Sequence, residues 1–437
     1  MTDQNDSNLN TPTRRDFLKT AAATTGAATL LASGNYAFAQ GSDRIKIGLI
    51  GCGGRGTGAA ADALQADPGT TLTAMADVLK PSLDRSLTVL KQQEGFKDKI
   101  DVPEANQFIG LDAYKQVLAS GVDVVLLTTP PGFRPLHIKA AVAAGKHIFA
   151  EKPMGTDSAG VHSALAAVKA AQANKRCFVA GFCYRYALPH REFYTRLHNG
   201  AIGDVRHVHA TYVTGPVKPM PPAATRPAGM SDTEWQIRNW YNFVWLCGDG
   251  LIEQACHSID KILWAMKDVP PVRCVATGGR VVPNNEGNIY DHIDVFYEWE
   301  NGVRATMAQR QIPECPHNDN TDYVIGTTGT GSVHFAAADM MTAKGKWQTE
   351  RPKKDMYKLE HDALFAAIRK GTPINDVDRM AQSTLVGLMG RMAAYTGAEI
   401  TWDQMLKSKE NLFPAKLDWN GPLAIAPMAV PGKTPFV

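Results

Sequence analysis

The feature that most narrows the folds open to this chain is a glycine-spaced turn, Gly51-Cys52-Gly53-Gly54-Arg55-Gly56. It stands between an apolar run, Ile45 to Ile50, and a helical stretch from Gly56 to Ala66. Glycines at this spacing admit a tight turn and let the backbone approach a pyrophosphate, which then sits on the positive end of the helix. The next apolar run, Thr71 to Ala76, ends at Asp77, where a carboxylate is placed to bond the hydroxyls of an adenosine ribose. Gly51, Gly53, Gly54, Arg55, Gly56 and Asp77 are therefore candidate dinucleotide contacts. An acid at Asp77 disfavours a 2′-phosphate, so NAD is the expected cofactor; Lys80 and Arg85 nearby keep NADP as the alternative.

The alternation continues to about Pro153. Residues 122–129 and 147–150 read as further strands, and 80–92, 111–120 and 135–144 as helices. The strands are continuously apolar rather than alternating, which suits a parallel sheet covered on both faces. Residues 40–155 are thus expected to form a doubly wound α/β domain. Such sheets bind ligands along the carboxyl edge of their strands. Thr129, Pro130 and His137 at one strand end, and Glu151 and Lys152 at the next, join the cofactor candidates. A lysine there can also polarise a substrate oxygen and stabilise alkoxide character.

Beyond Thr156 a helix to about Ala173, a strand 177–181 and a helix 188–198 follow, and then the pattern changes. Longer strands are expected over 205–213, 272–282, 292–300 and 303–309. Ile293, Val295, Tyr297 and Trp299 alternate with polar residues, as in a sheet with one buried face, and Asn301-Gly302 is a hairpin turn. Residues 156–410 read as an α+β domain with a large, mainly antiparallel sheet. Residues 214–229 are proline-rich and lead into Ser231-x-x-Glu234, a helix-capping pair. The aromatics that follow, Trp235, Trp240, Tyr241, Phe243 and Trp245, suit either a core or a stacking surface for sugar rings. Residues 411–437 read as a proline-rich C-terminal arm.

The first 39 residues read as a leader. Arg14-Arg15-Asp16-Phe17-Leu18-Lys19 is a twin-arginine pattern, Ala21 to Ala32 is apolar, and Ala37-Phe38-Ala39 is a small-x-small cleavage site. The apolar run falls short of the roughly 20 residues that span a bilayer, and no cysteine follows the cleavage site. The expectation is a soluble protein in the periplasm or beyond, handed to the twin-arginine export machinery and carrying no stable membrane anchor. That route moves folded proteins, so a tightly held cofactor is expected. A net charge of +3, scattered along the chain, gives no ground for nucleic-acid binding. Seven cysteines without regular spacing give none for a disulfide framework. His207 and His209 share a strand face without a third ligand, so no metal is expected.

Glu253-x-x-x-His257, followed by Asp260, completes the set of chemical candidates. One helical turn separates Glu253 from His257 and would put them on one face. Histidine is the usual acceptor for the O–H proton when a carbinol gives up hydride, with Glu253 orienting the imidazole or binding a neighbouring hydroxyl. The glycine turn, Glu151-Lys152-Pro153 and this last motif together resemble the Gfo/Idh/MocA oxidoreductases over nearly all of the chain after the leader. The resemblance implies hydride transfer between a nicotinamide cofactor and a secondary alcohol or ketone of a sugar, glycoside or polyol. It also implies a cis Lys152–Pro153 bond, a lysine touching both nicotinamide and substrate, and a homo-oligomer built through the second sheet. Gly181 to Tyr186 resembles the family's substrate-side segment, making Arg185 and Tyr186 candidate substrate contacts. The chain departs from the family in carrying Glu253 where Asp is usual, and Cys247-Gly248-Asp249 where three glycines are usual. The Asp249 carboxylate is accordingly a further substrate-side candidate. Two rival readings share the motifs: a glycoside hydrolase working by transient oxidation and elimination, and a sugar-binding protein that keeps its nucleotide only as structure.

Overall fold

Ile45, Ile47 and Leu49 are fully enclosed, as are Val124 and Leu126, because helices cover both faces of the sheet they build. The computed structural model describes residues 44–350, 352 and 354–437; the twin-arginine segment and its cleavage site lie outside them. The chain runs β1 (Ile45–Ile50), α1 (Gly54–Ala66), β2 (Thr70–Asp77), α2 (Lys80–Gln92), β3 (Gln107–Ile109), α3 (Ala113–Ala119), β4 (Val124–Leu127), α4 (Arg134–Ala143), β5 (His147–Ala150), α5 (Ser158–Ala170) and β6 (Phe178–Ala180). These strands form one parallel sheet in the order β3-β2-β1-β4-β5-β6, the doubly wound topology expected. The boundary expected at residue 155 falls too early, because β6 pairs in parallel with β5 through Ile148 and Phe178.

The second half continues α6 (Leu188–His198), β7 (Val205–Thr214), α7 (Asp232–Arg238), α8 (Val244–Cys247), α9 (Gly250–Glu253), α10 (Cys256–Ala265), β8 (Arg273–Gly279), β9 (His292–Glu298), β10 (Arg304–Gln311), β11 (Asp322–Gly326), β12 (Gly329–Val333), β13 (Ala338–Thr342), β14 (Gly345–Gln348), α11 (Met356–Lys370), α12 (Val377–Thr396), β15 (Ile400–Thr401) and α13 (Trp402–Lys407). Its sheet has nine strands, in the order β14-β13-β12-β11-β7-β10-β9-β8-β15. Every neighbouring pair is antiparallel except β7 with β10. The alternation on β9 behaves as its sequence demands: Ile293, Val295 and Tyr297 are buried while Phe296 is exposed.

Helix α12 covers that buried face. Gly390 lets it approach so closely that a Cβ there would crowd Val295 and the Tyr297 hydroxyl, and Tyr297 Oη donates to the Val386 carbonyl at 3.0 Å. Because α12 is buried on almost every side, it shows no amphipathic stripe, and its sequence gives little periodic signal.

Arg391, on α12 and without solvent exposure, donates to the carbonyls of Thr156 at 2.7 Å and Gly248 at 3.2 Å and pairs with Glu410. One cation thus ties the helix to the loop after Lys152-Pro153, to the turn before α9 and to the start of the C-terminal arm. Arg391→Met should lower the unfolding free energy by about 3–5 kcal/mol, since the Glu410 carboxylate would stay buried without its partner. Chemical denaturation reads this; an unshifted midpoint would remove Arg391 from the role.

Candidate active site

The glycine turn builds a cradle. Gly51 leaves β1 at φ +99°, a conformation L side chains resist. A Cβ on Gly56 would fall inside the Gly51 carbonyl oxygen. Gly53 and Gly54, by contrast, have open space where a Cβ would go, and no side chain caps the first turn of α1. Backbone N–H groups at a helix N-terminus, uncapped and reachable, are what an anionic pyrophosphate requires. The cleft above them, roughly 370 Å³ in volume, is lined by Gly51, Gly53 to Gly56, Asp77, Arg85, Thr129, Pro130 and His137. The residues present therefore fit a dinucleotide.

Asp77 ends β2 with Oδ2 accepting from the Cys52 amide at 2.7 Å and Oδ1 from Leu79 at 2.8 Å. These bonds hold the carboxylate at the cleft wall, although burial pushes its pKa up. His137 shares a hydrogen bond of 3.0 Å with Thr129 Oγ1; burial and the nearby Arg134 push its pKa down to about 3, so the ring is neutral. Arg134 belongs to no motif and is absent from the candidates above. It is wholly buried and donates to the carbonyls of Leu127 at 2.5 Å, Thr129 at 2.7 Å and Pro153 at 2.9 Å. This guanidinium fixes the ends of two strands and, through Pro153, the peptide that carries Lys152. The signal that could have exposed it is an arginine in the first turn of a helix, where a cation opposes the dipole.

Lys152 precedes a cis proline bond, as expected. Its Nζ donates to the Glu253 carbonyl at 2.5 Å and to Glu253 Oε1 at 3.1 Å. Although burial favours the neutral amine, the Glu253 carboxylate outweighs it and holds Lys152 cationic above the ordinary lysine range. Gln254 Nε2 donates to Glu253 Oε2 at 2.5 Å and accepts from the Tyr212 hydroxyl at its Oε1, 2.8 Å away. His257 opens α10 with its Nδ1 buried and without a partner, edge-on to Tyr184 at 5.2 Å between ring centroids. Burial, reinforced by the Lys152 charge, holds its pKa well below the ordinary imidazole range. A fixed cation thus stands close to a neutral imidazole with a spare lone pair or N–H.

Several expectations need correction. Glu253 and His257 do not share a helix: α9 ends at Glu253, and the chain breaks at Gln254 and Ala255 before α10 begins. Glu253 therefore answers the lysine and not the imidazole. Arg185 faces no open cleft. Its guanidinium is spent on Asp260 at 2.7 Å and Asp268 at 2.6 Å and lies over the Trp264 ring. Tyr186 donates to Asp376 Oδ2 at 2.8 Å. Asp249, unexposed and at φ +91°, caps Gly250 at 2.5 Å and accepts from the Tyr290 amide and the Tyr395 hydroxyl. Its left-handed backbone explains why glycine suits this position. Arg55 and Glu151 line or underlie the cleft but pair with each other, with Arg55 also reaching Glu360 at 3.0 Å. Of the aromatics, Trp235, Phe243 and Trp245 are core, while Trp240 and Tyr241 line the cleft.

Residues 45–182 match the oxidoreductase family with an NAD-binding Rossmann fold, and 190–332 match the Gfo/Idh/MocA C-terminal domain. The chain belongs to the Gfo/Idh/MocA oxidoreductases. Residues 11–30 match the twin-arginine translocation signal. The Gfo/Idh/MocA chain is 28% identical over 332 residues to an inositol 2-dehydrogenase of Acidothermus cellulolyticus, across 74% of this chain and 82% of that one. It is 23% identical to a glycosyl hydrolase family 109 protein of Shewanella amazonensis, across 78% and 70%. The aldose-aldose oxidoreductase of Caulobacter crescentus, solved with glycerol, superposes with a TM-score of 0.64 at 19% identity, over 82% of this chain and 99% of that one.

Asp77→Ala should weaken NAD binding about 10- to 100-fold, through loss of a charged hydrogen bond to the ribose worth about 1.5–3 kcal/mol. Fluorescence titration of nucleotide-free protein checks this. Unchanged affinity would leave Asp77 as a brace for Cys52 alone.

Proposed function

We propose that this Gfo/Idh/MocA enzyme, exported by the twin-arginine route to the periplasm or beyond, transfers hydride between a tightly held nicotinamide dinucleotide and a secondary alcohol or ketone of a sugar, glycoside or polyol. The observation that carries the reading is Lys152 held by Glu253 at 3.1 Å, with His257 buried nearby and its Nδ1 without a partner. When bound, the nicotinamide takes up or returns the hydride. In the oxidative direction His257 accepts the hydroxyl proton, and Lys152 stabilises the negative charge growing on the oxygen. Glu253 keeps the ammonium charged and fixes its position, and Gln254 with Tyr212 fixes Glu253. The cradle at α1 would hold the pyrophosphate and Asp77 the ribose, which would leave the nicotinamide to meet the substrate at the carboxyl edge. Retention of the nucleotide suits a compartment without a supply of it. The inositol 2-dehydrogenase and aldose-aldose oxidoreductase among the relatives support a polyhydroxylated substrate.

The glycosyl hydrolase family 109 relative supports the second reading, net glycoside cleavage. That route needs a further base and acid for elimination. Tyr186 and Asp249 are bound into the structure, and His190 is unexposed and charge-neutral, its pKa pushed down to about 3 by burial. This favours oxidoreduction or hydride exchange between two sugars.

Lys152→Ala and His257→Ala should each lower turnover by about 100-fold or more, followed by nicotinamide absorbance with a panel of glycosides and an added keto-acceptor. The base works only when neutral, and its pKa is depressed. The kcat/KM profile should therefore stay flat as pH falls through 6.5 and drop only below that. Near-parental turnover in either variant, or an acid limb at the ordinary histidine value, would sink the assignment. Catalytic aglycone release without acceptor, lost in His257→Ala, would reverse the ranking of the two readings.

The open face of the nine-stranded sheet supports a homo-oligomer. Val275 and Phe296 pair directly across β8 and β9, and both are nearly half exposed, as are Ile325 and Met341. Such an apolar face on a long sheet calls for a partner. Phe296→Lys should convert the oligomer to monomer by light scattering; a monomeric parent protein would refute the arrangement.

A further inference from the structure

A second cleft, of about 270 Å³, opens beside the cofactor cleft, with Tyr241 and Lys218 common to both. Burial, reinforced by the Glu253 carboxylate, pushes the Tyr241 phenol above its ordinary range. The cleft is walled by prolines from three separate loops, Pro219, Pro283 and Pro313, so its shape is largely fixed before anything binds. Its charged side chains are already engaged by protein. Lys218 donates to the Arg238 carbonyl at 2.6 Å, and Arg280 to the Pro283 carbonyl at 2.9 Å and to Asn285 and Gly287. Asp291 accepts from the amides of Val281 at 2.9 Å and Val282 at 3.0 Å and from His292.

Neutral polar groups remain. Gln311, the last residue of β10, lines this cleft and is nine-tenths buried, yet its Nε2 has no hydrogen-bond partner. An unpaired buried amide costs roughly 1–3 kcal/mol, so it marks a position where a ligand acceptor would be worth most. A Cβ at Gly250, the first residue of the helix ending at Glu253, would touch the Gln311 amide carbon at 3.4 Å. The unsatisfied amide is therefore one residue's width from the catalytic helix. Asn284 adds an exposed amide at the outer rim, and Met220 and Ile289 add apolar surface. A cleft of one-ring size whose cations lean on neutral oxygens, with amides and an aromatic at its neck, has the chemistry of a site for a polyhydroxylated ring.

We propose that this cleft is a subsite for a second, glycosidically linked sugar ring, so that the substrate is a disaccharide or longer saccharide whose neighbouring ring is oxidised or reduced at Lys152 and His257. The proposal rests on the hydride-transfer reading for what happens to the first ring, but binding tests it separately. Cofactor-loaded protein is titrated calorimetrically with methyl glycosides of gluco, galacto, manno and N-acetylglucosamine configuration, and with α- and β-linked disaccharides ending in the same rings. At least one disaccharide should bind tenfold or more tightly than its matched methyl glycoside. Gln311→Leu, which removes the amide, and Asn284→Trp, which fills the cleft from an exposed loop, should each abolish that difference. Both should leave methyl glycoside binding within twofold. Equal affinities for one-ring and two-ring ligands in the parent protein, or variants that keep the preference, would overturn the subsite. Binding preference without hydride transfer to any saccharide would overturn the proposed reaction and leave the subsite standing. Hydride transfer that is equally efficient for one and two rings would do the reverse.

Discussion

The ion pair between Lys152 and Glu253 is the contact on which the rest of the site depends. It joins the end of the parallel sheet to the end of a four-residue helix in the second half of the chain, across a hundred residues of sequence. Both side chains are about nine-tenths buried, where a lone charge of either sign would be expelled or neutralised. Each ion is tolerable only because the other is there, and the backbone carbonyl of Glu253 adds a second acceptor. An ammonium held this way keeps its charge at any physiological pH, and it depresses the neighbouring imidazole further. The pairing therefore keeps the ammonium charged and adds to the effect of burial on the imidazole, the two protonation states the proposed acid–base chemistry needs.

Around this pair the structure uses buried arginines as rivets. Arg134 gathers three carbonyls at the carboxyl edge of the first sheet. Arg391 gathers two more and the carboxylate of Glu410. Arg185 binds Asp260, one turn beyond His257 on α10, and so holds in place the helix that presents the imidazole. A guanidinium suits these positions because its planar donors can satisfy several carbonyls at once. The rigidity they provide lies just behind the proposed reacting groups, where small displacements would cost rate.

The first sheet was legible almost strand by strand, since buried parallel strands are written as unbroken apolar runs and the turn glycines mark the cofactor edge. The elements the sequence left unannounced share a physical cause. The short β3 and the strands from Asp322 to Gln348 carry too few residues to establish a period. Helix α12 is enclosed on all sides and so lacks one. Glu253 and His257 show how spacing misleads: four residues apart suggests one helical face, yet the chain breaks between them and turns the carboxylate to the lysine. The resemblance places Arg185 and Tyr186 at the substrate, and the departure from its glycines adds Asp249; a motif cannot say which of these groups are consumed by neighbours 75 to 190 residues away. Only the partner reveals that: Asp376 for Tyr186, Tyr395 for Asp249.

The same long-range logic governs access to the cofactor cleft. Its roof is Ile237, Arg238, Trp240 and Tyr241, which hang from α7, and α7 is held from outside by the C-terminal arm. Gln236 donates to the Leu423 carbonyl at 2.7 Å, and the Leu423 amide to Asp232 at 3.2 Å. Phe413 packs edge-on against Phe133 at 5.7 Å and Trp245 at 5.9 Å, and Phe133 itself lines the cleft. Lifting the roof therefore exposes the aromatic cluster beneath the arm as well as breaking its hydrogen bonds. Each buried aromatic exposed would cost on the order of 1.5–3 kcal/mol, so the wall of the cofactor cleft and the arm stabilise one another, and neither depends on a single strong contact.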